Sequence, residues 1–337
     1  MPFRTIVGHS RLLSLVARVI ARDSMPPALL LAGPPGIGKR LTAVAIAQAI
    51  NCLQPQSPKE FERDACGECA PCRRIARGIH PDVIVVEPGE MGTIKIEQLR
   101  DVIDRTQYRP FEGRRRVVII NEADAAGDDA QSALLKTLEE PPPASIFILV
   151  SSMPDALLPT VLSRCPRLRF GPLTPNEVAS ALVQDHGYSE QEARIAAAES
   201  DGSIGRALEA RSEELTDSRD AARRILEETA RNSDPVRRIN LARALAEGKG
   251  SPAEERNRLA VRLRSLGSLL RDVGIIATRA DRAMLANTDL EKPLEQLASS
   301  FDAQRSMRAY AAVDRALAAL DRNASPKVVA DWLLLEL

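Results

Sequence analysis

Ala28-Leu-Leu-Leu-Ala-Gly-Pro-Pro-Gly-Ile-Gly-Lys39 decides the fold. Its first five residues are apolar without polar alternation, the pattern of a strand buried on both faces. The loop Gly33-Pro-Pro-Gly-Ile-Gly38-Lys39 follows at once and opens a helix over Lys39 to Cys52. A Walker A loop needs this context. Gly33, Gly36 and Gly38 let backbone N–H groups close on phosphates, the helix N-terminus favours the anion, and Lys39 reaches the β- and γ-phosphates. The next position should offer a Ser or Thr hydroxyl to Mg²⁺, and here it is Arg40. A guanidinium has no acceptor oxygen, so it cannot be an inner ligand of a hard cation.

Similar apolar runs recur at Val83 to Glu87, Arg116 to Asn121 and Ile146 to Ser151. Between them, Ile96, Leu99 and Ile103 share one face of a helix over Ile94 to Gln107, and Leu134, Leu135 and Leu138 share a face over Asp129 to Glu140. Pro141-Pro142-Pro143 stops the second helix. Strands alternating with helices predict an α/β core with a parallel sheet and flanking helices. The third run is Walker-B-like, with Val117 to Ile120 leading into Asn121-Glu122. Glu122 stands where a carboxylate polarises attacking water, but the Asp that would hold Mg²⁺ is Asn121. An ion deprived of ligands on two opposite sides leaves phosphoryl transfer poorly supported. The expectation is either weak ATP binding without hydrolysis or a loop kept as scaffold.

Four of the five cysteines, Cys52, Cys66, Cys69 and Cys72, form C-x13-C-x2-C-x2-C. Two close pairs make thiolate knuckles, and four sulfurs complete a tetrahedral, structural Zn²⁺ site. Buried thiols, a disulfide and an iron–sulfur cluster are the alternatives, and no other feature of the sequence favours them. The module, at about 52–72, interrupts the chain between the loop helix and the second strand, so it should stand on the surface. Cys165 lies apart.

From Thr174 onward the pattern is helical, opened by a Thr174-Pro175 cap and punctuated at Asp201-Gly202-Ser203. Boundaries are expected near Gly171 and Arg211, dividing the chain into 1–170, 171–211 and 212–337. The last part should hold five or six helices, with turns at Asn232 to Pro235 and Gly248 to Pro252.

The 337 residues carry 46 basic against 46 acidic groups, so no strong global field draws the chain to DNA or membrane. Ten aromatics, six Phe, three Tyr and one Trp, are too few for base-stacking platforms. No long apolar span and no secretory start occur, which predicts a cytoplasmic protein without membrane contact.

In order along the chain stand the P-loop, the Walker-B-like strand, Ala133-Leu-Leu-Lys-Thr-Leu-Glu-Glu-Pro-Pro142, Leu158-Pro-Thr160 and Ser163-Arg-Cys165. With the four-cysteine insertion, this set resembles the bacterial clamp-loader AAA+ family, best over residues 3 to 210. The resemblance implies an AAA+ core over 1–170, a helical lid over 171–211 and a collar that assembles the ring over 212–337. Motor subunits of the family usually keep Thr after the P-loop lysine and Asp before the Walker B Glu, and this chain keeps neither. It therefore resembles a subunit without motor activity, a non-catalytic part of a DNA-directed DNA polymerase holoenzyme. The implied partners are the δ and τ/γ subunits and, through the complex, the sliding clamp and primer-template DNA.

The family's site roles map onto this sequence as follows. Arg164 would be an arginine finger aimed at a neighbour's ATP, and Glu122 a vestigial Walker B residue. Phe3 to His9 would lie near the adenine, unless it is a plain packing strand. Ser151 or Ser152 would be sensor 1, and Arg206, in Gly202-Ser-Ile-Gly-Arg206, would stand near sensor 2. Histidines His9 and His80 read as capping or packing groups. Two competing readings are an active motor of τ/γ type, opposed by Arg40 and Asn121, and a free-standing zinc-ribbon DNA-binding module, opposed by neutral charge and few aromatics.

Overall fold

The structure, a computed structural model, describes residues 1–89, 92–209, 212–232, 234–247, 252–322 and 324–337. They fall into two compact units, Met1–Leu173 and Thr174–Leu337. The expected boundary at Arg211 and the expected turns at Ser233 and Gly248 to Ser251 lie outside the described residues.

In the first unit a short 3-10 turn, Phe3–Thr5, leads to α1 (Ser10–Ala21), β1 (Ala28–Ala32), α2 (Lys39–Asn51), α3 (Ala70–Ala76) and β2 (Val83–Val86). Then come α4 (Ile96–Thr106), β3 (Arg116–Ile120), α5 (Asp128–Glu139), β4 (Ser145–Ser151), α6 (Pro159–Leu162) and β5 (Arg167–Arg169). The sheet order is β2-β3-β4-β1-β5 and every pairing is parallel. Successive side chains leave a strand on opposite faces, and here both faces are covered. Leu29, Leu31, Ile119 and Ile148 pack with Leu13 of α1 and Ile46 of α2, while Leu30, Val118, Phe147 and Leu149 pack with Leu99 of α4 and Leu134 of α5. Each such side chain, fully withdrawn from water, contributes about 2 kcal/mol. That double coverage is why the strand sequences show no polar alternation.

The expected parallel sheet with flanking helices is present, with one addition. β5 is three residues long, and its Arg167 and Arg169 are exposed. An Arg-Leu-Arg edge strand carries no apolar run to announce it.

The loop before β3 is tied to the sheet by buried Asp82. Its carboxylate accepts from the N–H groups of Phe111 (2.7 Å), Glu112 (2.8 Å) and Gly113 (2.8 Å) and from Arg116 (3.1 Å). Burial pushes this carboxyl up, but the combined donors hold it below the usual carboxylate range. His80 accepts the Asp82 N–H at Nδ1 (3.1 Å), a capping role.

The second unit is helical among its described residues: α7 (Pro175–His186), α8 (Glu190–Glu199), α9 (Ile204–Glu209), α10 (Ser212–Arg231), α11 (Pro235–Ala246), α12 (Pro252–Ala277), α13 (Glu291–Ala298), α14 (Ala303–Asp321) and α15 (Pro326–Glu336). Thr174 and Ser189 start α7 and α8 with reciprocal capping boxes to Glu177 and Glu192. Leu263, Leu266 and Leu270 of α12 form a core with Leu226, Leu294, Phe301, Ala316 and Leu333. Among the described residues, no helix is long and apolar enough to cross a membrane.

Candidate functional site

Two arrangements in the first unit carry chemistry, and α2 joins them. At its C-terminal end, Cys52 directly follows the helix, Cys66 and Cys69 bracket a turn at Gly67, and Cys72 sits in the first turn of α3. The four Sγ atoms all lie within 4.8 Å of one another. The Cys52–Cys69 and Cys66–Cys72 separations are 3.9 and 4.0 Å. A tetrahedron with metal–sulfur bonds of about 2.3 Å has edges of about 3.8 Å, so the donors stand at metal-binding spacing.

Backbone donors already face the sulfurs. The Cys66 N–H reaches Cys52 Sγ at 3.3 Å, and the N–H groups of Glu68 and Cys69 reach Cys66 Sγ at 3.4 and 3.3 Å. Burial pushes the Cys52 and Cys72 thiols up; Cys69 meets the same push, but the N–H groups of Cys72 and Leu53 draw it down to about 7. The centre can hold a metal ion, which would neutralise thiolates that burial alone disfavours.

At the N-terminal end of α2 lies the glycine loop. A Cβ on Gly33 would stand 2.3 Å from the Phe170 carbonyl oxygen, so only glycine fits between β1 and the residue after β5. Gly38, the N-cap of α2, has φ +98°, and no side chain caps the helix there. Lys39 is buried, and its Nζ donates to the carbonyls of Gly33 (2.6 Å) and Pro34 (2.5 Å) and to Ser152 Oγ (3.2 Å). Burial lowers its pKa to about 8, against the opposing pull of Asp124 and Glu122. The ammonium is thus held by loop carbonyls, a position from which a phosphate could draw it.

Arg40 is engaged in an ion pair, its guanidinium 2.6 Å from the Glu87 carboxylate beyond β2. Asn121 and Glu122 follow β3, and Glu122 is exposed with a left-handed backbone, φ 50°. The carboxyl ends of β1, β3 and β4 bring Gly33, Lys39, Asn121, Glu122 and Ser152 to one edge of the sheet, where open α/β sheets receive ligands.

Arg164 follows α6. Its guanidinium pairs with Glu139 at 2.5 Å and donates to the Thr160 carbonyl at 2.9 Å and to Ser163 Oγ at 3.1 Å, with a third of the side chain exposed. In the second unit the Arg206 guanidinium stands 3.5 Å from Asp201, and the Arg206 backbone N–H donates to Ser203 Oγ at 3.2 Å.

Residues 8–174 match the family model described as DNA polymerase III, delta subunit. A DNA polymerase III subunit delta′ of Pseudomonas aeruginosa is 42% identical over 139 residues, 41% of this chain and 41% of that protein. The delta′ subunit of Bacillus subtilis is 32% identical over 174 residues, 52% of this chain and 51% of that one. Over these N-terminal residues the chain is similar to subunits of the bacterial DNA polymerase III clamp loader. The tau subunit of Escherichia coli is also similar, 32% identical over 189 residues, 56% of this chain and 28% of its own. The chain thus spans about half or less of each of these clamp-loader relatives.

The geometry also singles out residues that sequence reasoning leaves open or misses. Ser152, not Ser151, meets Lys39: Ser151 is buried in β4, paired with Ala32, while the Ser152 N–H donates to Asp124 Oδ1 at 3.1 Å. Asp124 is one such residue, and its place two residues after Glu122 on a turn is the available signal. Asp64, fully buried between the cysteines, is another. It accepts from the N–H groups of Phe3 (2.7 Å) and Ala65 (2.8 Å) and pairs with Arg4 (3.0 Å). His9 bridges the N-terminal segment to the loop, Nε2 lying 3.1 Å from the Ile37 carbonyl oxygen.

Proposed function

We propose that this chain is a δ′-like subunit of a DNA polymerase III clamp loader, working in the cytoplasm with δ and τ/γ subunits to load a sliding clamp onto primer-template DNA. In this reading it has no motor activity of its own. Arg40 is the decisive residue: the position that should offer Mg²⁺ an oxygen holds a guanidinium engaged with Glu87. Asn121 removes the second metal ligand, leaving Glu122 without an ion to work beside. Gly33, Gly36, Gly38 and Lys39 can still cradle phosphates, so ATP binds weakly and is not hydrolysed. The four cysteines hold one structural Zn²⁺. Residues 1–170 serve as the AAA+ core, 171–211 as the lid and 212–337 as the collar that joins the ring.

Arg164 acts in trans. Its guanidinium is at the surface and is restrained by Glu139, an exposed pair that a stronger anion can displace. A neighbour's ATP offers such an anion, and a planar guanidinium suits charge developing on a transferred phosphoryl group. Arg206, beside Asp201, stands near the sensor-2 position.

The test is reconstitution with δ and τ/γ. The isolated chain should show background ATPase with and without Mg²⁺. Arg164→Ala in an otherwise wild-type complex should assemble normally, lower total ATPase in part, and slow clamp loading further. Robust Mg²⁺-dependent hydrolysis by the isolated chain would replace this reading with the τ/γ-type motor, and unchanged loading with Arg164→Ala would remove the finger.

A further inference from the structure

The four-cysteine centre is joined to the phosphate loop by a second route, outside α2. The segment Phe3 to His9 runs between them and is fastened at both ends. At the cysteine end, buried Asp64 takes the Phe3 N–H at 2.7 Å, the Arg4 N–H at 3.4 Å and the Arg4 guanidinium at 3.0 Å. Arg4 also donates to the carbonyls of Ala65 (2.9 Å) and Cys66 (3.0 Å). Cys66 is itself a sulfur donor whose N–H faces Cys52 Sγ. Gly67, in the turn between Cys66 and Cys69, packs beneath Pro2, and a Cβ there would lie 3.2 Å from its ring. Buried Phe3 meets Phe61 of the insertion, ring centroids 5.9 Å apart.

At the other end the segment meets the loop. Ile6 Cγ2 lies 4.0 Å from where a Gly38 Cβ would stand. His9 Nε2 lies 3.1 Å from the Ile37 oxygen, and the imidazole meets Phe170 edge-on at 4.9 Å. Phe170 is the residue whose carbonyl closes over Gly33. The segment therefore ends on the residues that seat the glycine loop.

We propose that Asp64 and Arg4 are positioning residues through which the metal-bound cysteine centre holds the segment Phe3 to His9 against the phosphate loop, so that metal occupancy sets the order of the nucleotide site. Asp64 lies on the stretch closed by Cys52 and Cys66. With a metal in place, that stretch cannot move without breaking metal–sulfur bonds, and an ionised acceptor fixed there makes strong hydrogen bonds to the segment. Without the metal, the insertion keeps the Gln56–Asp64 backbone pair and the Phe61 contact, but the anchor can shift as a loop. The mechanical coupling stands on these contacts, and its consequence for nucleotide rests on the P-loop reading given above.

The experiment follows amide hydrogen exchange of residues 3–9 and 33–39 in the full chain, loaded with Zn²⁺ or stripped by chelator, and in Asp64→Asn and Arg4→Met. Stripping should speed exchange at Phe3 to His9 at least tenfold while the β1 and β4 amides stay protected. Both variants should retain one zinc per chain yet expose the same segment, and Gly33 to Lys39 should follow with a smaller rise. Equal protection of the segment in loaded and stripped protein overturns the proposal. If stripping also releases the sheet, the zinc-retaining variants decide, and unchanged protection of residues 3–9 in both overturns it. A fluorescent adenine nucleotide added to each sample should bind several-fold more weakly wherever the segment is released. Absence of nucleotide binding to loaded wild-type protein would defeat the P-loop reading alone, and the exchange data would still judge this one.

Discussion

The two ends of α2 differ in completeness. At the C-terminal end, four sulfurs stand at metal-binding spacing with backbone N–H groups already aimed at them. At the N-terminal end, the glycines and Lys39 form a cradle, but the residues that would complete it with Mg²⁺ are a guanidinium and an amide. The same sheet and helix support both, so the fold did not require the defect. A phosphate cradle is made largely of backbone and survives as long as the chain path does. The metal ligands at the loop are single side chains, which one substitution each can remove without disturbing packing.

The largest effect should come from breaking the complete end. Cys69→Ser should abolish stoichiometric zinc and lower the melting temperature by roughly 10 °C, since structural zinc sites contribute several kcal/mol to folding; metal analysis with calorimetry checks both. Zinc-free protein of unchanged stability, purified without chelator, would remove the contrast.

Next, the incomplete end can be rebuilt. Arg40→Thr with Asn121→Asp restores both oxygen ligands, and Mg²⁺ should then tighten ATP binding about tenfold, where in the parent chain it has little effect. Titration calorimetry with and without Mg²⁺ reads this directly, and equal Mg²⁺ dependence in both proteins would place the defect elsewhere.

A smaller effect concerns pH. Burial lowers Lys39 to about 8, so at pH 7 it is mostly protonated and ready for an anion. A bound phosphate favours the charged form, so above pH 8 binding must be accompanied by proton uptake. Nucleotide affinity should be nearly flat from pH 6 to 7.5 and fall by up to about tenfold per unit above 8. Zinc content should not change over that range. Affinity that rises with pH would show that Lys39 does not contact the phosphates. Smallest of all, Glu87→Gln should free Arg40 at a cost under about 0.5 kcal/mol, measured by denaturant titration, because the pair is half exposed.

Much of this is legible in the chain. Uninterrupted apolar runs announce β1 to β4 because both faces of the sheet are covered, and the cysteine spacing announces the cluster of four sulfurs. What escapes has physical reasons. β5 is an exposed edge strand held by backbone hydrogen bonds, such as Phe170 N–H to the Ala32 carbonyl at 2.8 Å, which leave no apolar signature. Choosing between Ser151 and Ser152 requires knowing which face of the strand end meets Lys39, and adjacent serines point opposite ways. Asp64 reads as one acidic residue in a polar insertion; its burial depends on Phe3 and Arg4, about sixty residues earlier in the chain.

One consequence of α2 concerns which lengths this chain can vary. The helix carries Lys39 at its first position and is followed directly by Cys52, so both sites are indexed on a single thirteen-residue rod. Adding or deleting one residue inside it would turn everything beyond by about 100° and shift it by about 1.5 Å, carrying Cys52 off the sulfur tetrahedron or Lys39 off the loop. The stretch from 53 to 63 has no such gauge, since it only has to return Asp64 to its place. Insertions and deletions should therefore accumulate there while the distance from lysine to first cysteine stays constant, which makes that interval a yardstick for recognising chains that keep both ends of the helix in use.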